Sequence, residues 1–141
     1  MASKVNEIDY GGDVKYADDY LASNQTLPQN TSEDGDEGSV SNIGKTQGSC
    51  EVAIIVTTAI TLATAETLTI ELYDSADDVT FTAFATVFTE TASGEVTHAV
   101  DAVLARYVVP KTILQYVKAY ITSTDAALTG AIDVYLNYLA R

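Results

Sequence analysis

The sequence predicts an all-β fold: an antiparallel β-sandwich or jelly roll preceded by an extended N-terminal arm. Three observations predict it. Apolar and polar residues alternate with period two in several runs after residue 66, the pattern of a half-buried strand. Residues 49–141 hold most of the Thr, Val, Ile and Tyr, the side chains that suit a pleated surface. Polar, Gly- and Pro-containing turn clusters separate the runs at spacings suited to hairpins.

Residues 1–48 come first and differ in composition. They are rich in Asp, Glu, Asn, Gln, Ser and Gly, with Gly11-Gly12, Pro28 and the acidic run from Ser32 to Gly38. Their few aliphatic residues bury too little surface to offset the entropy of ordering. The segment is therefore expected to be an arm, ordered where a partner holds it, with the acidic run solvated. Asp13 is placed to cap a helical turn bearing Val14, Ala17 and Leu21 on one face, although so short a helix is marginal alone. Tyr10, Tyr16 and Tyr20, with Leu21, are the candidate contact residues of the arm. Tyr supplies large area at low entropic cost. Fully extended, such an arm reaches roughly 100 Å or more at about 3.3 Å per residue.

Residues 49–141 form the expected sandwich domain. Glu51 to Thr58 is a dense apolar run whose β-branched content favours a buried strand. Leu68, Ile70 and Leu72 alternate with Thr67, Thr69 and Glu71. Val79 to Thr91 is open to two readings, because Phe81, Phe84 and Phe88 also have helical spacing. Val117, Ala119 and Ile121, then Ile132, Val134, Leu136 and Tyr138, alternate with polar or aromatic partners. The expected strands are 51–58, 67–73, 80–89, 95–100, 105–110, 115–123 and 128–139.

Charge narrows the function classes. The chain of 141 residues has 20 acids against 7 bases, a net charge of −13. Phosphate contacts need clustered Lys and Arg, so no nucleic-acid partner is expected. An anionic membrane surface is disfavoured for the same reason. Residues 1–12 contain no apolar core of a secretory signal. The longest uncharged apolar-rich stretch, 52–65, is shorter than the ~20 residues a spanning helix needs. The chain is expected to be soluble.

Constellations for chemistry are thin. Cys50 is the one cysteine, which excludes an internal disulfide and a Cys-rich zinc site; a buried thiol is expected. Asp74, Asp77 and Asp78 cluster in a turn without the EF-hand pattern, so they read as turn residues rather than calcium ligands. His98 is the one histidine and reads as an ordinary strand residue. No nucleophile-elbow, phosphate-loop or zincin motif is present. No enzyme activity, metal or cofactor is expected.

Four segments carry a resemblance. They are Leu68-Thr69-Ile70-Glu71-Leu72, Arg106-Tyr107-Val108-Val109-Pro110, Gln115-Tyr116-Val117-Lys118-Ala119-Tyr120-Ile121 and Thr129-Gly130-Ala131-Ile132-Asp133-Val134-Tyr135-Leu136. In order and spacing, residues 50–141 resemble the jelly-roll capsid cement (decoration) proteins of tailed bacteriophages. Gln115 stands where that family usually has arginine, and the acidic arm lies outside the shared core. The resemblance implies a virion structural protein on the outer surface of the head. Its partners would be the major capsid protein and further copies of itself, as a homodimer or homotrimer. It carries over no catalytic residues. A β-sandwich recognition module, carbohydrate-binding or adhesin, is the competing expectation, and a small hydrolase the third.

Overall fold

The structure, a computed structural model, describes residues 5–8, 14–16, 20–40 and 50–138. A short antiparallel hairpin comes first: β1 (Val5–Ile8) and β2 (Val14–Tyr16). Nine strands then build two sheets. They are β3 (Tyr20–Thr26), β4 (Thr31–Asp34), β5 (Cys50–Leu62), β6 (Thr67–Ser75), β7 (Thr82–Thr91), β8 (Val96–His98), β9 (Val103–Val108), β10 (Tyr116–Ser123) and β11 (Thr129–Tyr138). One sheet has the order β3-β11-β5-β8, with β9 also paired to β5; the other is β4-β10-β6-β7. All pairings are antiparallel. Counting β8 and β9 as one interrupted strand, this is the two four-stranded layers of a jelly roll.

The alternating runs became strands because one side of each meets the other sheet. On β6, Leu68, Ile70 and Leu72 are buried; on β10, Val117, Ala119 and Ile121; on β11, Ile132, Val134 and Leu136. β5 supplies Val52, Ile54, Val56, Ile60 and Leu62 to the same core. It is longer than expected because β9 and β8 pair in succession along one edge. Cys50 is fully buried at its start.

The two-way reading of residues 79–91 resolves as strand. Phe84 and Phe88 pack against the core, while the Phe81 ring lies under the Lys118 ammonium, 4.6 Å from Nζ. Two register irregularities against β6 place extra residues in β7 and blur its alternation. The helical turn expected from Asp13 does not form over the described positions. Val14–Tyr16 is strand, and Leu21 belongs to β3; Asp13 and Ala17 lie outside the described residues.

The boundary expected at residue 48 is corrected. Residues 20–40 are part of the sandwich: β3 is an edge of one sheet and β4 an edge of the other. Averaged composition hides the reason. Leu21 and Leu27 are buried in the core, and polar groups do the rest. Gln25 donates through Nε2 to Glu33 Oε1 (2.9 Å) and Asp34 O (3.0 Å), and its Oε1 accepts from the Asp36 amide (2.9 Å). Asp36 accepts from the Ser23 amide, and Asp34 pairs with Lys118. The acidic run, expected to be solvated, is thus tied to the fold at Glu33, Asp34 and Asp36. It closes one side of the sandwich.

Gly35 sits where this closure is tightest. Its amide donates to Ala119 O (2.8 Å), and a Cβ there would lie 2.1 Å from Leu21 O. Gly35→Ala is expected to cost about 1–3 kcal/mol by overpacking. Gly94→Ala, where a Cβ meets nothing within 4 Å, is expected to stay within about 0.5 kcal/mol. Urea unfolding of both variants checks the contrast. Leu21→Ala, measured the same way, is expected to cost about 2–5 kcal/mol, as for a core leucine; a cost near zero would restore the arm boundary at 48.

Candidate functional site

The four residues expected at a contact surface part company. Tyr10 lies outside the described residues. Tyr16 ends β2, and its side chain also lies outside them. Leu21 is a core residue, and this corrects its expected place at the surface: β3 turns it toward the other sheet. Tyr20 points the other way. Its ring meets Tyr135 at a centroid distance of 5.7 Å, tilted 47°. Tyr20, Tyr135 and Ala53 form a second apolar cluster, with Ile55 half-buried beside it. Strand alternation puts this cluster on the reverse face of the five-stranded sheet, away from the core.

A polar network continues that face. Glu51 is 8% exposed, accepts from Asn137 Nδ2 (3.1 Å) and pairs with Arg106 Nη1. Three neighbouring strands, β11, β5 and β9, supply these groups. Beyond them Val103 and Val108 on β9 are exposed, as is Val100 in the turn before it. Exposed aliphatic groups gathered along one edge strand mark a surface suited to a protein partner.

The outer face of the other sheet is different. Tyr73 and Tyr120 lie ring to ring, 4.7 Å apart and tilted 33°. Lys118 Nζ, 3.0 Å from Asp34 Oδ2, also covers Phe81. Desolvation raises the Tyr73 phenol above its ordinary pKa, with smaller contributions from Glu71, Tyr120 and Asp34. Hydroxyl pairs run along the sheet: Thr67 with Thr91 (2.8 Å), Thr69 with Thr89 (3.1 Å) and Ser32 with Thr122 (2.8 Å). Aromatic rings beside carboxylates and hydroxyls can stack on and hydrogen-bond a sugar.

The acidic turn is occupied by its own backbone. Asp77 accepts from the Val79 and Thr80 amides (3.0 Å each) and from Ser75 Oγ (2.8 Å). Asp74 accepts from the Leu114 amide (3.0 Å). Ser39 Oγ donates to Asp78. Among the described residues no group of three or more His, Cys, Asp or Glu is arranged to hold a metal ion. His98 Nε2 lies 2.7 Å from Glu90 Oε1, linking β8 in one sheet to β7 in the other, and its ring meets Phe88 edge-on.

No protein-family model matches the chain, and no curated protein matches it. Sequence reasoning missed Tyr135, Asn137, Glu51 and Arg106 as a connected face. The signal was available in β11, where Tyr135 and Asn137 alternate with Ile132, Val134 and Leu136 and must share the opposite side. The pairing of Arg106 with Glu51 had no local signal, because register joins them across 55 residues.

The Asp77 carboxyl is held down to a pKa of about 2, first by the Thr80 amide, then by the Val79 amide and Ser75. With its folded pKa below the unfolded value, the stability it contributes is present above about pH 4 and lost as pH falls toward 2. Carboxyl-detected NMR titration is expected to show a midpoint near 2 for Asp77; a midpoint near 4, the ordinary Asp value, would remove these hydrogen bonds from solution.

Proposed function

We propose that the protein is a non-enzymatic virion component that binds the exterior of an assembled phage head and cements neighbouring major capsid proteins. The observation that carries this reading is the apolar edge at β9, where Val103 and Val108 meet solvent. That edge coincides with Arg106-Tyr107-Val108-Val109-Pro110, one of the segments that resemble the cement proteins. An aliphatic edge strand suits augmentation by, or packing against, another protein. The net charge of −13 suits a position outside the shell, away from packaged DNA. Many copies on a lattice add avidity to a modest single contact. Homo-oligomerisation, as dimer or trimer, belongs to the same proposal.

Particle association tests it. Source particles are banded on a density gradient and the chain is quantified by mass spectrometry. Near-stoichiometric travel with intact heads supports cementing; recovery only as a small soluble species sinks it. Val103→Lys and Val108→Lys are expected to weaken shell binding by about tenfold or more, the loss of an interface hot spot. Their urea midpoints are expected to stay close to the parent's, because both positions are exposed. Unchanged shell binding would move the interface off β9.

The Tyr73–Tyr120 face favours a second reading, a glycan-recognition module. Binding to an immobilised glycan panel that is lost in Tyr120→Ala, with no particle association, would put it first.

A further inference from the structure

The reverse face of the five-stranded sheet ought to face water, yet its middle does not. Tyr135 stands directly beside Tyr20 on β3 and Ala53 on β5. Tyr135 and Ala53 are fully buried and Tyr20 is 8% exposed, although all three point away from the core. The burial stops toward β9: Ile55 is half-buried, while Val103 and Val108 are exposed. A cover therefore lies over β3, β11 and part of β5. The backbone of hairpin strand β2 lies close to β11, and β3 is the next strand in the chain.

We infer that the β1–β2 hairpin is a strap seated on the chain's own Tyr20–Tyr135–Ala53 face, and that lifting it exposes this apolar cluster to solvent. Strands of four and three residues make a hairpin that is marginal alone. Its order therefore depends on the seat, and seat and strap form one two-state element. The occupant is this chain in cis. The inference is independent of shell binding and holds or fails on the isolated protein.

The test uses the full-length chain, its oligomeric state followed by light scattering over a dilution series. Tyrosines are nitrated with tetranitromethane and mapped by mass spectrometry, and trypsin cleavage after Lys15 is timed in parallel. In the parent chain, Tyr20 and Tyr135 are expected to react about tenfold or more slowly than half-exposed Tyr107 and Tyr116, with slow cleavage after Lys15. Ala53→Lys, which places a long cation in the seat, is expected to accelerate cleavage and both nitrations together. Rapid cleavage after Lys15 in a parent chain whose Tyr135 stays unreactive overturns the inference. So does protection that vanishes on dilution, since the cover would then belong to a second copy. If Ala53→Lys does not fold, the parent chain nicked after Lys15 decides: Tyr135 becoming reactive supports the strap, and continued protection rejects it.

Discussion

Strand β5 has to satisfy hydrogen bonds on both edges and bury side chains on both faces. Its inner side chains meet the other sheet, and on its outer face Glu51 and Ala53 are buried too. β11 occupies one edge from Cys50 to Thr61, and β9 and β8 divide the other. With such a strand at the centre, the sheet grows outward to β3, whose Leu21 and Tyr20 serve opposite faces. The second sheet then follows as the layer that covers the inner face. Removing water from β5 on both sides is what makes the neighbouring strands necessary.

The sandwich was legible where burial is one-sided. Leu68-Ile70-Leu72 and Val117-Ala119-Ile121 announce their strands because each faces core on one side only. β7 was ambiguous because bulges break its period. β3 and β4 were illegible for another reason. Their contribution rests on two leucines, the three hydrogen bonds of Gln25 and the close approach at Gly35, none of which alters average composition. The candidate surfaces were legible in part: alternation places Tyr135 opposite Ile132 and Val134. The pairing of Tyr20 with Tyr135 depends on β3 lying beside β11, which only the assembled sheet brings about.

The two outer faces divide the chemistry. The four-stranded sheet shows hydroxyl pairs, the Tyr73–Tyr120 rings and the Lys118–Asp34 pair, all locally satisfied. The five-stranded sheet grades from covered tyrosines, through the Glu51–Arg106–Asn137 network, to bare valines at β9. The network lies between a dry and a wet apolar region. A buried carboxylate with defined partners costs stability to desolvate but holds its neighbours in one arrangement. Here it locks β11, β5 and β9 in register behind the exposed edge.

The pairing of β3 with β11 joins Tyr20 to Tyr135, and that of β4 with β10 joins Thr31 to Ser123. In the order of synthesis, the first two sandwich strands therefore acquire their partners from the last two. Neither sheet can reach its final width on a growing chain until β10 and β11 have emerged. Until then β5, the most apolar strand, has the β11 side of its ladder unfilled. Non-local closure of this kind is slow and leaves strand edges open to other chains in the meantime. The Asp and Glu residues between β3 and β5, besides their place in the finished fold, keep that waiting chain negatively charged and its copies apart.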